Sequence, residues 1–92
     1  MIGYYRKRPI TVRAVQWTGT NFGEVEQLAR DCNPDCMVTL DGRDLWIITL
    51  EGQYICAVDN WIIRGIKDEL YPCAPDVFEH TYEPVQTVVG GD

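Results

Sequence analysis

Short apolar segments separated by turn-forming pairs run from residue 36 to residue 63, and this repeat constrains the fold more than any other feature. The turn pairs are Asp41-Gly42, Glu51-Gly52 and Asp59-Asn60. Asp-Gly between β-rich segments is among the strongest short-range hairpin signals, and Asp and Asn tolerate turns because their side chains bond the local backbone. The pattern therefore predicts a meander of antiparallel strands in a sheet that curls, including a hairpin at Asp59-Asn60.

The stretch from Asp59 to Pro84 adds more turn signals and a second helix. Gly65 closes the apolar run Trp61 to Ile63, and Lys67-Asp68 offers a polar turn before the next short strand. Pro75 suits the first turn of a helix that runs to about Thr81. This helix is expected to pack back on the sheet as a lid or plug.

Upstream of the meander, the chain predicts one strand and one helix. The strand extends from Ile10 to Trp17, and its face with Ile10, Val12 and Ala14 is expected to meet the core, with Gln16 as the exception on that face. The opposite face, with Arg13, Val15 and Trp17, is either a groove wall or lies under the helix. Asn21 followed by Glu24 matches a capping box, and apolar residues at three- and four-residue steps predict an amphipathic helix over about 22–32, stopped by Asn33-Pro34. The fold class is α+β, with a curled antiparallel sheet of about five to six strands, one helix after strand 1 and a short C-terminal helix.

Length and charge limit the function classes. Ninety-two residues suit a single domain, which we place at residues 1–85, with a flexible tail at residues 86–92. The net charge of −6 and the pI of about 4.6 oppose general affinity for nucleic acid. No window approaches the ~18 apolar residues that span a bilayer, and the N-terminus lacks the apolar segment of a signal peptide. The sequence therefore predicts a soluble, intracellular protein.

Residues suited to catalysis or metal binding are sparse. The four cysteines lack the paired spacing that tetrahedral zinc prefers, and without an export context reduced thiols are expected. His80 is the only histidine, no serine occurs, and no glycine-rich phosphate loop is present. The sequence thus predicts no enzyme activity, no metal and no cofactor.

The sequence supports ligand binding better than it supports catalysis or metal binding. A nucleotide needs a stacking partner, a fixed cation for phosphate and polar groups for the base edge. The candidates are Trp17, Trp61 and Tyr71 for stacking, Arg13, Arg64 and Lys67 for phosphate, and Asn60 for the base edge. Arg64 is the first choice, because three apolar residues precede it and would hold its guanidinium in place. The alternatives are a salt bridge from Arg64 to an acidic residue, for example Glu69 or Asp76, and a core position for each tryptophan.

Partner binding is a third possibility. Tyr4, Tyr5 and the Tyr71-Pro72 corner could form a self-association surface or a docking face. A domain this small is not expected to expose all its aromatic residues as a monomer, so a homo-oligomer such as a dimer is predicted. The cluster of basic residues from Arg6 to Arg13 is either a local anion site or a solvated strand edge that discourages aggregation.

Three segments resemble a family of small uncharacterised proteins from tailed bacteriophages and prophages. They are YRKRPI at residues 5–10, AVQWTG at residues 14–19, and NWIIRGIKDELYPCAPDVFE with TYE at residues 60–79 and 81–83. The resemblance covers about residues 4–84. In the family's usual form Gly-Asp precedes the aromatic residue matched by Trp61, and the next turn reads Lys-Gly-Glu, so this chain departs from the pattern at Asp59-Asn60 and Asp68.

The resemblance implies a phage origin and expression in the host cytoplasm. Among small phage proteins of other families, some bind nucleotide-derived immune signals as oligomeric sponges and others block a host enzyme by contact. We therefore expect a non-enzymatic, oligomeric accessory protein that sequesters a small anionic signal, such as a cyclic nucleotide or an ADP-ribose-type molecule. The alternative is an inhibitor or adaptor that binds a host enzyme.

Overall fold

The computed structural model describes residues 1–6, 8–30, 32 and 36–85. Within these ranges six strands and two helices occur, in the order β1 (Arg13–Gln16), α1 (Phe22–Ala29), β2 (Met37–Asp41), β3 (Asp44–Thr49), β4 (Gly52–Cys56), β5 (Trp61–Arg64), β6 (Leu70–Cys73) and α2 (Pro75–Thr81). This arrangement confirms the α+β class. The predicted helix stop at Asn33-Pro34 and the predicted tail after residue 85 lie outside the described residues.

The strands form two antiparallel sheets, so the prediction of one curled sheet is wrong. One sheet has the order β2-β3-β4 and corresponds to the predicted meander, while the other has the order β1-β5-β6. The pairing of β1 with β5 sets Arg13 opposite Arg64 and Gln16 opposite Trp61. These partners are far apart in sequence, and the apolar pattern of each strand does not record which strand it will pair with.

Asp59-Asn60 forms the predicted turn but not the predicted hairpin. Asp59 has a φ of +78°, in the left-handed region that Asp tolerates. The strands on either side, β4 and β5, lie in different sheets. The turn is bonded to Trp17 instead: the Asp59 N–H donates to the Trp17 carbonyl at 2.6 Å, and the Trp17 N–H donates to the Asn60 carbonyl at 2.9 Å. The turn therefore extends the β1–β5 ladder.

Helix α1 begins after Asn21 without the predicted capping box. The Asn21 side chain donates from Nδ2 to the Gln16 carbonyl at 2.8 Å and to Glu24 Oε1 at 3.0 Å, and it makes no hydrogen bond to the helix N–H groups. Asn21 thus joins the start of the helix to the end of β1. The helix ends at Ala29, earlier than predicted, because Arg30 has extended backbone with ψ of 131°.

The main core lies between α1 and the facing sides of the two sheets. Its buried members are Trp17, Val25, Leu28, Leu45, Ile47, Cys56, Ile62 and Leu70. Val15 packs against this cluster, so the side of β1 that meets the main core carries Val15 and Trp17. The prediction that the side of β1 with Ala14 meets the core is therefore wrong, and Val15 and Trp17 lie under α1, which was one of the two alternatives for their side. Both faces of β1-β5-β6 are covered, so the apolar alternation does not identify the larger core.

Helix α2 covers the second face of β1-β5-β6 and packs back on the sheet as predicted. The Phe78 ring stacks on Trp61 with 3.9 Å between ring centroids and 5° between ring planes. Ile63 points to the same face, since it alternates with the core residue Ile62, and it is fully buried. Neither α1 nor α2, the two helices of the described residues, could span a lipid bilayer.

Candidate anion-binding cleft

Arg64 is buried, and its guanidinium holds the end of α1. The residue is 6% exposed. Its Nη1 donates to the carbonyl of Leu28 at 3.0 Å and to that of Arg30, while Nε and Nη2 each lie 3.1 Å from Asp68 Oδ1. The last carbonyls of a helix have no partners within the helix and form the negative end of its dipole. Arg64 therefore stabilises the junction between α1 and β5.

This geometry fits the predicted salt bridge from Arg64 to an acidic residue better than the predicted contact of Arg64 with a ligand. The acidic partner is Asp68, which has a φ of +62° in the β5–β6 turn, and not Glu69 or Asp76. The Asp68 side chain is 56% exposed, so solvent screens the ion pair and the carbonyl contacts of Arg64 contribute more. In this conformation, a ligand that reached the guanidinium would have to displace either the Asp68 carboxylate or the end of α1.

The predicted stacking residues hold the fold together. Trp17 is 1% exposed and its Nε1 donates to the Arg43 carbonyl at 3.1 Å, so it takes the core position that was the alternative for each tryptophan. Trp61 has one ring face against Phe78. The hydroxyl oxygen of Tyr71 lies 3.5 Å from that of Tyr82, and burial, together with this hydrogen bond, raises the pKa of Tyr71.

The structure does not bring the seven predicted ligand residues into one site. Arg13 and Arg64 lie on the α1 side of β1-β5-β6, Trp61 and Tyr71 on the α2 side, Trp17 in the core, Asn60 in the turn before β5, and Lys67 exposed in the turn after it. Strand residues three positions apart point to opposite faces. Trp61 and Arg64 therefore cannot line the same pocket.

Arg13 instead lines an open cleft of about 620 Å³ between β1 and α1. The described residues that line it are Arg13, Ala14, Val15, Glu24, Gln27, Leu28 and Arg30. Val15 and Leu28 belong to the edge of the core and provide apolar surface, while three charged side chains surround them. No aromatic residue occurs among these lining residues.

Helix α1 runs back along β1, which places both cleft arginines at one end. Asn21 is bonded to the last residue of β1, so the helix starts there. Arg64 stands opposite Arg13 in the β1–β5 pair and is bonded to the carbonyl of Arg30. Arg13 and Arg30 therefore form a cationic end of the cleft, and Glu24 lies toward the other end.

Arg30 was missing from the predicted site residues. A signal for it was present, since a strand and a helix joined by a short connection run antiparallel to each other when they pack side by side. The start of β1 and the end of α1 are then neighbours, and Arg13 and Arg30 occupy these two positions. The sequence left open whether the side of β1 with Arg13 lies under the helix or forms a groove wall, and the structure shows that α1 packs against it.

Among the described residues, the thiols of Cys32 and Cys56 are not activated as nucleophiles. Burial raises the pKa of the Cys56 thiol to about 11, and burial followed by the neighbouring Cys36 raises that of Cys32. A nucleophilic cysteine needs the opposite shift, toward the thiolate. Across the described ranges, no group of three or more His, Cys, Asp and Glu side chains is placed to hold a metal ion.

Comparisons with family models, curated proteins and solved structures found no match to this chain. The resemblance to a phage protein family therefore stays a prediction that rests on the three sequence segments.

Proposed function

We propose that the protein is a non-enzymatic binding protein that takes an anionic ligand in the cleft between β1 and α1. The observation that carries this proposal is the pair Arg13 and Arg30 at one end of a cleft with apolar surface beside them. Guanidinium groups suit phosphate and carboxylate because each presents a planar fork of donors. Arg64 has a positioning role, since it holds the end of α1 and so sets where Arg30 stands.

Two ligand classes follow from the phage resemblance. A nucleotide-derived immune signal of the host would bring phosphates to the two arginines, and an acidic segment of a host protein would bring carboxylates. The higher charge of phosphate favours the first class. None of the described lining residues is aromatic, which favours the acidic segment, because they offer no partner for base stacking, a contact that contributes about 1–3 kcal/mol per base. Both ligands occur in the cytoplasm of an infected host cell, which is where we propose that the protein acts.

We further propose that the protein is a homo-oligomer. Met37 and Ile55 are exposed on one face of the β2-β3-β4 sheet, where they lie beside the half-buried residues Ile48 and Trp46. Contiguous apolar surface of this kind favours association. A second copy is the proposed partner for this face.

The test is native mass spectrometry of protein purified from cells that make nucleotide immune signals, because it reports ligand and stoichiometry together. Arg13→Ala and Arg30→Ala should each lose a retained ligand that the wild-type chain keeps. Arg8→Ala is the matched control, since Arg8 is exposed and does not line the cleft. A ligand retained equally by all four proteins would refute the cleft as its site. A bare mass for the wild-type chain would favour the host-protein ligand.

A further inference from the structure

The edge of β1 that is not paired with β5 borders the same cleft. β1 is an edge strand in the order β1-β5-β6. In an antiparallel pair, alternate residues direct both backbone groups toward the partner strand, and the residues between them direct both groups away. Trp17 exchanges backbone hydrogen bonds with Asp59 and Asn60 in the turn before β5. Val15, two residues earlier, therefore also directs its N–H and C=O toward β5. The N–H and C=O of Ala14 and Gln16 therefore point away from β5.

Ala14 is the residue whose edge groups face the cleft. The Gln16 carbonyl already accepts a hydrogen bond from the Asn21 side chain at 2.8 Å, whereas Ala14 is one of the cleft residues. The N–H and C=O of Ala14 point away from β5 and take no part in the β1–β5 ladder, and within the described chain no other hydrogen bond to them is present. One edge donor and one edge acceptor thus lie beside two arginines.

We propose that the cleft takes an extended segment of a partner polypeptide that carries one acidic residue and adds to β1 as a fourth strand of the β1-β5-β6 sheet. This inference rests on the proposed anion-binding function and names its ligand class. Backbone hydrogen bonds to Ala14 provide affinity, and side chains provide specificity. Every second side chain of the added strand faces α1, so a carboxylate beside Arg13 and Arg30 is followed, two positions away, by an apolar residue over Val15 and Leu28.

The charge pattern of the cleft selects for one acidic residue and against an acidic run. Arg13 and Arg30 attract a carboxylate at one end, and Glu24 repels a second carboxylate at the other. The net charge of −6 also opposes the approach of a polyanion. The segment that fits best is therefore β-prone, largely apolar on one face and singly acidic at its centre.

The test measures fluorescence anisotropy of the full chain with a labelled peptide, acetyl-Thr-Val-Thr-Glu-Thr-Val-Thr-amide. Valine stands two positions from Glu on both sides, so either strand direction presents the same face. Replacing Glu with Gln should weaken binding by about tenfold or more, since the charge-assisted contacts are lost. N-methylation of alternate backbone amides should abolish binding for one set of residues and be tolerated for the other, because only one set faces β1.

Variants of the protein separate the backbone contact from the charge contact. Ala14→Pro removes an edge N–H at a position where proline is tolerated, and it should weaken peptide binding by about tenfold or more with inorganic phosphate affinity unchanged. Arg13→Ala and Arg30→Ala should weaken both, and Arg8→Ala should weaken neither. Circular dichroism checks that each variant is folded, and the two N-methylated peptides test the same edge on the wild-type chain should Ala14→Pro fail to fold.

Each result has a defined meaning. Phosphate binding that depends on both arginines, without peptide binding up to about 1 mM, overturns strand addition and leaves the proposed function standing. Peptide binding that tolerates both N-methylation sets also overturns strand addition. If neither phosphate nor peptide binds, the inference and the proposed function fall together.

Discussion

Replacing Arg64 with alanine is expected to destabilise the domain far more than removing its acidic partner. The guanidinium contacts two carbonyls at the end of α1, those of Leu28 and Arg30, as well as the Asp68 carboxylate. Arg64→Ala leaves the carbonyls without their charged donor at a buried junction. The Asp68 side chain is 56% exposed, so its carboxylate simply returns to water.

The hydrogen bonds to the helix-end carbonyls and the ion pair with Asp68 contribute different amounts to the free energy of unfolding. Hydrogen bonds to a charged group contribute about 1.5–3 kcal/mol each, whereas exposed ion pairs contribute about 0.2–1 kcal/mol. Arg30 is exposed, so water can replace part of its lost contact. We therefore expect Arg64→Ala to lower the free energy of unfolding by about 3 kcal/mol and Asp68→Asn by less than about 1 kcal/mol. The first loss is a large share of the roughly 5–15 kcal/mol that stabilises a typical domain.

Urea unfolding measures both variants, with a constant m-value confirming that stability alone has changed. Asp68→Asn is the matched control because Asn also tolerates the left-handed backbone at this position. Arg64→Lys should fall between wild type and Arg64→Ala, since an ammonium can donate to a carbonyl but cannot also reach Asp68 with a planar fork. In a thermal melt, Arg64→Ala should lower Tm by about 12 °C or more.

Two results would refute this reasoning. Equal losses in Arg64→Ala and Asp68→Asn would make the ion pair, and not the helix-end contact, the important interaction. An Arg64→Ala variant that keeps its melting temperature but loses a bound anion would restore Arg64 to the ligand site.

Four further predictions concern thiol reactivity, the ionisation of Cys56, helix α2 and association. All four cysteines should react with a thiol reagent after denaturation without prior reduction, and stoichiometric zinc in elemental analysis would contradict this expectation. Burial raises the pKa of Cys56 from 9.0 to about 11, so the unfolded chain loses this proton first and this thiol should lower stability above pH 9, by about 1 kcal/mol at pH 10. Cys56→Ala should show a fall that is smaller by that amount, because the raised pKa values of Cys32, Cys73 and Tyr71 still contribute. Phe78→Ala should cost about 2 kcal/mol and red-shift Trp61 fluorescence, and unchanged emission would argue against the ring stack. Sedimentation should show a species heavier than the 10.5 kDa chain at micromolar concentration, and a sharp monomer at every concentration would defeat the homo-oligomer.

Local sequence determined most of the strands, turns and helix starts. Asp41-Gly42 joins β2 to β3 as predicted, with Gly42 at a φ of +66°, and α2 starts at Pro75. Turn chemistry and proline geometry act between neighbouring residues, so a sequence displays them directly. The α+β class followed from the order of these elements.

Only the tertiary structure decided how the strands are divided between sheets. Asp59-Asn60 has the residues of a hairpin turn, yet the backbone of Trp17 takes the hydrogen bonds that β4 was predicted to make with β5. The same packing covers both faces of β1, so the apolar alternation could not show that Val15 meets the main core. Strand partners are chosen by long-range packing, which a local pattern does not contain.

The candidate site likewise depends partly on local sequence and partly on tertiary packing. The apolar residues before Arg64 indicated a guanidinium held in place, and the structure holds it, but its donors face the end of α1. Arg13 was a candidate from its charge, and it gains Arg30 as a neighbour only because α1 folds back along β1. Sequence determines which side chains carry charge, whereas the packing of distant elements determines whether that charge meets a carbonyl, a second arginine or an open cleft.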